Sequence, residues 1–152
     1  KPCWQLTAFE LSEKGIIKAE QLGDEEGVEI EYLVGEFSEI KLPMEGFDAI
    51  GLIYAHFPPP LKAQYHQKLN DYLRSGGFII LEGFGKNNLK YRAANPKVGG
   101  PPVVEAVVAT KEVVQYVPNY DVTILTEEET ELNEGLYHVG KGSVVRFVGK
   151  KK

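Results

Sequence analysis

The segment that most constrains the fold runs from Phe47 to Phe84, FDAIGLIYAHFPPPLKAQYHQKLNDYLRSGGFIILEGF, and it reads as one strand–helix–strand unit. Phe47–Tyr54 is almost unbroken apolar with Gly51 inside it, and Phe78–Leu81 is a short continuous apolar run. Such strands are buried on both faces and sit inside parallel sheets covered by helices. Between them Leu61, Tyr65, Leu69, Tyr72 and Leu73 recur at helical spacing. Pro58–Pro60 sets the helix start and Gly76–Gly77 supplies a left-handed stop. A parallel pair joined by a helix crosses over right-handed. Ligands of open α/β sheets bind beyond the carboxyl ends of the strands, which puts Tyr54, Ala55 and His56 at the edge of a site, with Glu82 and Gly83 beside them.

A chain of 152 residues, 43% hydrophobic, suffices for one domain over 1–152 with a real core. A net charge of −5 argues against a general nucleic-acid or anionic-membrane binder. The apolar runs are too short to span a bilayer and no signal-peptide pattern opens the sequence, so a cytoplasmic protein is expected. Cys3 is the only cysteine, which excludes an internal disulfide and a thiolate metal cluster. No cysteine or histidine spacing fits a metal-ligand set.

Trp4–Phe9 is a short strand ending at Glu10. Ser12 can cap the helix that follows, on which Ile16, Ala19 and Leu22 share a face, and the acidic residues 24–26 with Gly27 close it. Val28–Val34 alternates as a strand with a wet side, suited to a sheet edge, and Glu36 and Phe37 follow its carboxyl end. Gly85–Ala109, rich in Gly, Pro and Asn, lacks periodicity and reads as a lid, a binding loop or a mobile segment. Thr110 can cap a short helix carrying Val113, Val114 and Val117. Asp121–Leu132 is a strand presenting Glu127, Glu129 and Glu131 on a wet face, Asn133-Glu134-Gly135 is a turn, and Ser143–Val148 is the returning strand. Lys150 to Lys152 reads as a frayed end. His66 lies off the helical stripe and reads as a surface residue. Arg92 and Lys97 could meet an anionic substrate, although lone basic loop residues are usually only solvated. GFG at 83–85 is too short and too late for a dinucleotide loop.

This order resembles a class I S-adenosylmethionine-dependent methyltransferase, and more closely the tellurite-resistance-like methyltransferases. The residues carrying the resemblance are TAFELSEKGIIKAEQL (7–22), FDAIGLIYAHFPPPL (47–61), LRSGGFIILEGF (73–84) and ELNEGLYHVGKGSVVRFV (131–148). The resemblance implies a Rossmann-like, three-layer α/β fold with a mostly parallel sheet and a C-terminal antiparallel hairpin. The family's first strand and helix, with their glycine-rich loop, would precede Trp4 and are missing from this sequence. That strand lies in the family between those that here are Trp4–Phe9 and Phe47–Tyr54. Either these two pair directly or another chain fills the place, so a homodimer is one expected state.

The resemblance also implies S-adenosylmethionine as cofactor and a small-molecule substrate. It casts Glu10 as the acceptor for both ribose hydroxyls, where the bland alternative is an acid favoured by a helix dipole. Glu36 and Phe37 would lie near the adenine, one reading its amino edge and one covering its face; Glu36 could equally be a surface acid. Tyr54 and Ala55 would line the cofactor. His56 and His138 would face the substrate as catalytic groups, His56 with the alternative of capping its turn. His138 matches a histidine of the family's tail motif that is often followed by arginine; here Val139 follows it. Two other readings stand beside methyl transfer. One is a non-catalytic remnant serving as an interaction module. The other is a nicotinamide-dependent oxidoreductase, because Glu10 could equally hold that cofactor's ribose, although a closing hairpin does not suit such a domain.

Overall fold

The computed structural model describes residues 4–152; Cys3 lies outside them. The chain divides into two compact units, Lys1–Leu42 and Pro43–Lys152.

In the first unit, β1 (Leu6–Glu10) pairs in parallel with β2 (Ile30–Val34), joined by α1 (Glu13–Glu26). The helix has the ends its sequence specifies. The Ser12 side chain accepts the Gly15 N–H, and Gly27 turns left-handed at φ 63° to bring its N–H to the Asp24 and Gly23 carbonyls. Its inward face runs through Ile16 and Ala19, as expected, and then Gly23, while Leu22 is exposed. Phe37 is buried against Phe9, with ring centroids 5.6 Å apart.

The second unit holds a four-stranded mixed sheet of order β3-β4-β6-β5, made of β3 (Phe47–Ile53), β4 (Leu73–Phe84), β5 (Tyr120–Asn133) and β6 (Val139–Lys151). β3 and β4 run parallel, and β6 runs antiparallel to both β4 and β5. Parallel and antiparallel pairings are therefore equal in number among the described residues, where a mostly parallel sheet was expected. The C-terminal hairpin is present as expected.

β3 departs most from expectation. It lies at an edge of its sheet, bonded only to β4 among the described residues, and of its seven residues only Leu52 is buried. Its apolar run comes from half-covered side chains. The crossover helix is α2 (Lys62–Tyr72), preceded by a 3-10 turn at Pro59–Leu61. Tyr65, Leu69 and Tyr72 are buried on it, as their spacing requires.

The helix does not stop at Gly76–Gly77. Leu73 is already extended and wholly buried, and β4 starts there. Gly76 turns at φ 78° inside the strand. Gly77 permits close approach instead, since a Cβ there would lie 2.7 Å from Leu73 Cδ1 and 2.9 Å from the Asp48 carbonyl oxygen.

The segment 85–109 is not structureless. It contains α3 (Asn88–Ala94) and a 3-10 turn at Pro96–Val98, and it gives Val98 and Val107 to a core with Phe84, Leu132 and Val144. Asn88, fully buried, ties it down: Nδ2 donates to the Gly99 carbonyl at 3.2 Å, and Oδ1 accepts the Ser143 N–H at 3.1 Å. Glu127 and Glu129 do not form a plain wet face either. Glu127 accepts the Asn87 N–H at the start of α3, and Glu129 meets Lys90, Tyr91 and Lys141.

The fourth helix, α4 (Thr110–Tyr116), buries Val113, with Val117 buried just beyond it and Val114 exposed; Ala109 rather than Thr110 stands at its cap. The last lysines are fastened. Lys151 Nζ donates to the Asn70 and Leu73 carbonyls at 2.8 and 2.7 Å, and the Lys152 carbonyl accepts the Ser75 hydroxyl. No described helix is long and apolar enough to cross a membrane.

Candidate functional site

In the first unit, the carboxyl ends of two parallel strands carry Glu10 and Glu36. Glu10 is the last residue of β1, and its Oε1 accepts the Ser12 N–H at 3.0 Å. Gly15 opposes it across the first helical turn, where a Cβ would come within 3.1 Å of Glu10 Cγ. The carboxylate is thus fixed by the backbone through one oxygen, and among the described residues the other oxygen has no hydrogen-bond partner. A rigid acceptor with a free oxygen is what recognition of a diol requires. Glu36 is exposed two residues beyond β2, whereas Phe37 spends its ring on Phe9 and the core of the unit.

In the second unit, the end of β3 gathers a different set. Tyr54 follows the strand with a left-handed backbone at φ 51°, and His138 stands in the β5–β6 turn at φ 56°. Residues with side chains adopt this conformation at a cost, and such strain collects at functional sites. Their rings meet at 4.4 Å, and both pack on Phe84, at 4.9 and 5.0 Å.

Two carboxylates organise the cluster. The Tyr54 hydroxyl donates to Glu82 Oε1 at 3.2 Å and approaches Glu134 Oε1 at 3.4 Å, while Glu134 Oε2 lies 2.8 Å from His138 Nδ1. Burial, with the charges of Glu134 and Glu82, pushes the Tyr54 phenol above its ordinary pKa, so it stays a donor. Arg146 holds Glu82 from the other side at 2.6 Å and also meets Glu128.

His56 is at the same end of the sheet, but both of its ring nitrogens are engaged by backbone. Nδ1 faces the Ala106 carbonyl at 3.2 Å, and Nε2 accepts the Phe84 N–H at 3.3 Å. A carbonyl can only accept and an amide only donate, so the ring is neutral with its proton on Nδ1. Burial lowers its pKa accordingly. In this geometry His56 braces the wall and has no free nitrogen for chemistry. Ala55 is exposed next to it.

His66 is not the surface residue expected. It stacks on Tyr116 at 4.7 Å and meets the Phe57 edge, and burial, assisted by the charge of Lys62, lowers its pKa to about 4. Arg92 is turned onto the Gly100 carbonyl at 3.0 Å. Sequence reasoning placed Tyr54, Ala55, His56, Glu82 and His138 near this strand end but missed Glu134, which read only as part of a turn. The available signal was the spacing of Glu134 and His138, which a tight hairpin turn folds onto each other.

Comparison with known proteins bears on what these groups serve. Residues 1–77 match a family described as a methyltransferase domain. No curated protein matches the chain. Among solved structures it is similar to TehB from Haemophilus influenzae (TM-score 0.73, 14% identity, 98% of this chain and 50% of that one). It is also similar to a SAM-dependent methyltransferase from Methanosarcina mazei (TM-score 0.69, 15% identity, 97% and 82%). A third is a SAM-dependent methyltransferase from Aquifex aeolicus (TM-score 0.62, 18% identity, 95% and 68%). The chain thus spans half the length of the Haemophilus protein. At these identities the likeness is one of fold, a methyltransferase-like α/β architecture with mixed sheets. The cofactor the family implies is S-adenosylmethionine, and the anchored, half-free carboxylate of Glu10 fits its ribose diol. By the match over half its length, this chain belongs to the methyltransferase domain family.

Proposed function

We propose that the chain is the methyltransferase domain of an S-adenosylmethionine-dependent enzyme of the tellurite-resistance-like type, acting on a small molecule. The observation that carries the reading is the Glu10 carboxylate at the carboxyl end of β1, pinned by the Ser12 N–H with one oxygen left free, in a chain of this family. Glu10 would hold the ribose hydroxyls, Glu36 the adenine amino edge, and Phe37 would back that surface from within the core. The tail segment 131–148 supports the finer family assignment, with Val139 where an arginine is common in that group.

When bound, S-adenosylmethionine supplies a methyl group already activated on a positively charged sulfur. The protein's task is then to bind, align and exclude water. His56 would act by position, its backbone bonds fixing the wall, and His138 would face the acceptor. The antiparallel β5–β6 pairing favours this reading over a nicotinamide domain.

Calorimetric titration with S-adenosylhomocysteine tests it. Saturable binding that Glu10→Ala weakens is expected; binding of nicotinamide dinucleotides alone, or of neither ligand, refutes it.

A further inference from the structure

The hairpin turn that joins β5 to β6 holds more chemistry than a reversal of direction needs. Glu134 donates its backbone N–H to the His138 carbonyl at 3.1 Å and presents its carboxylate to the ring of the same residue, Oε2 to Nδ1 at 2.8 Å. An ionised carboxylate only accepts, so the proton of the neutral ring resides on Nδ1 and the lone pair on Nε2. The other oxygen of the carboxylate lies 3.4 Å from the Tyr54 hydroxyl, whose single proton goes to Glu82 at 3.2 Å, so the His138 ring and the turn backbone are what hold Glu134.

The imidazole is clamped between Tyr54 and Phe84, yet its side chain keeps 27% exposure. Among the described residues Nε2 has no hydrogen-bond partner. Its edge lies over Gly99, where a Cβ would come within 2.9 Å of His138 Cδ2 and 3.4 Å of Nε2. His56 is the opposite case, with both nitrogens occupied. One histidine of the pair is thus sealed, and the other is aimed.

We infer that Glu134 is a positioning residue that holds His138 with Nε2 as a proton acceptor, and that the molecule methylated here is a neutral protic nucleophile such as a hydroxyl compound. This rests on the methyl-transfer reading above. As a lone pair of the acceptor atom bonds to the methyl carbon, the carbon–sulfur bond breaks with its pair left on sulfur, the X–H pair becomes the acceptor's lone pair, and the proton moves to His138 Nε2. The ring becomes an imidazolium whose Nδ1–H stays on Glu134, and the proton then leaves to water. A preformed anion would need no such base. It would also meet Glu82, Glu134 and Glu128 around a single arginine, Arg146, which is already paired with two of them.

The test begins with nitrogen-15 NMR of the histidine rings in the intact chain at a pH where His138 is neutral. The expected spectrum shows a protonated-type Nδ1 and a lone-pair-type Nε2 for His138. Glu134→Ala, at an exposed turn, removes the acceptor at Nδ1 and is expected to shift the ring toward the form protonated on Nε2. A wild-type ring protonated on Nε2, or a ring unchanged by the substitution, overturns the assignment.

The second measurement is methyl transfer from S-adenosylmethionine to catechol and to tellurite. Glu134→Ala is expected to lower kcat on catechol about 10- to 100-fold with KM changed by less than about two-fold. Faster transfer to tellurite that is unaffected by the substitution overturns the acceptor class. Failure to bind S-adenosylhomocysteine would remove the methyl-transfer reading while the tautomer result stood, so the two can fail separately.

Discussion

Asn88 offers the sharpest test of how the second unit is held together. Its side chain is fully buried and satisfies two backbone groups in different segments, the Gly99 carbonyl and the Ser143 N–H. Asn88→Ala would leave both without partners beside Ser143, itself only 1% exposed. Each such orphan costs about 1–3 kcal/mol, and a water entering the vacated space would recover part, so a loss of about 2–4 kcal/mol is expected. For a chain of this size that corresponds to a Tm lower by about 5–15 °C. Calorimetric melting gives the size of the effect, and amide hydrogen exchange gives its location, since the Ser143 amide should lose protection more than its β6 neighbours. A Tm shift below about 2 °C, or a large shift with Ser143 still protected like the rest of β6, would refute the reasoning.

Three further outcomes follow from the geometry. His66, with its pKa lowered to about 4 from 6.5, is disfavoured as a cation in the fold, so its contribution is fully present above pH 6.5 and is lost as pH falls toward 4. His66→Phe, which can keep the stack on Tyr116, should flatten that part of a stability–pH curve; an unchanged acid limb would show the ring titrates normally. Gly77→Ala drives a methyl against Leu73 and the Asp48 carbonyl and should cost about 1–3 kcal/mol in urea unfolding, and neutrality would mean that β3 and β4 separate easily there. Glu10→Ala should weaken S-adenosylhomocysteine binding by roughly 1.5–3 kcal/mol, about 10- to 150-fold in Kd, and equal affinity would reduce Glu10 to a brace for Ser12.

How much was legible depended on whether a signal was local. α1 could be read almost whole because Ser12 and Gly27 define its ends by their own bonding. α2 could be read through its buried stripe, but not at its end: the Gly76–Gly77 pair imitates a helix stop, while the strand that overrides it is set by burial of Leu73. α3 was missed because its start is completed from elsewhere, by Glu127 accepting the Asn87 N–H, and its anchor Asn88 reaches Gly99 and Ser143. In β3 an apolar run mistook composition for depth, since a sheet edge leaves such residues half covered. Position relative to strand ends singled out Glu10 in the first unit and Tyr54 and His56 in the second, whereas His138 came from the resemblance of the tail segment. Which histidine keeps a free nitrogen is decided by the Ala106 carbonyl, the Phe84 amide and Glu134, partners no spacing rule connects.

The sheet order carries a consequence for the route by which this unit forms. β6 follows β5 in the chain yet lies between β5 and β4, so β4 has no partner on that side until β6 arrives. The β5–β6 pair is local and closes across a short turn, whereas the β4–β6 register joins Phe84 to Val144 and Phe78 to Lys150 across a long stretch of chain that includes α3, α4 and β5. Closing a long loop is slow because its entropy is lost before the contacts repay it. The hairpin should therefore assemble first and dock onto β4 as a preformed ribbon. The β4 edge would stay open as a pairing template through that interval, making docking, rather than helix formation, the step most vulnerable to aggregation.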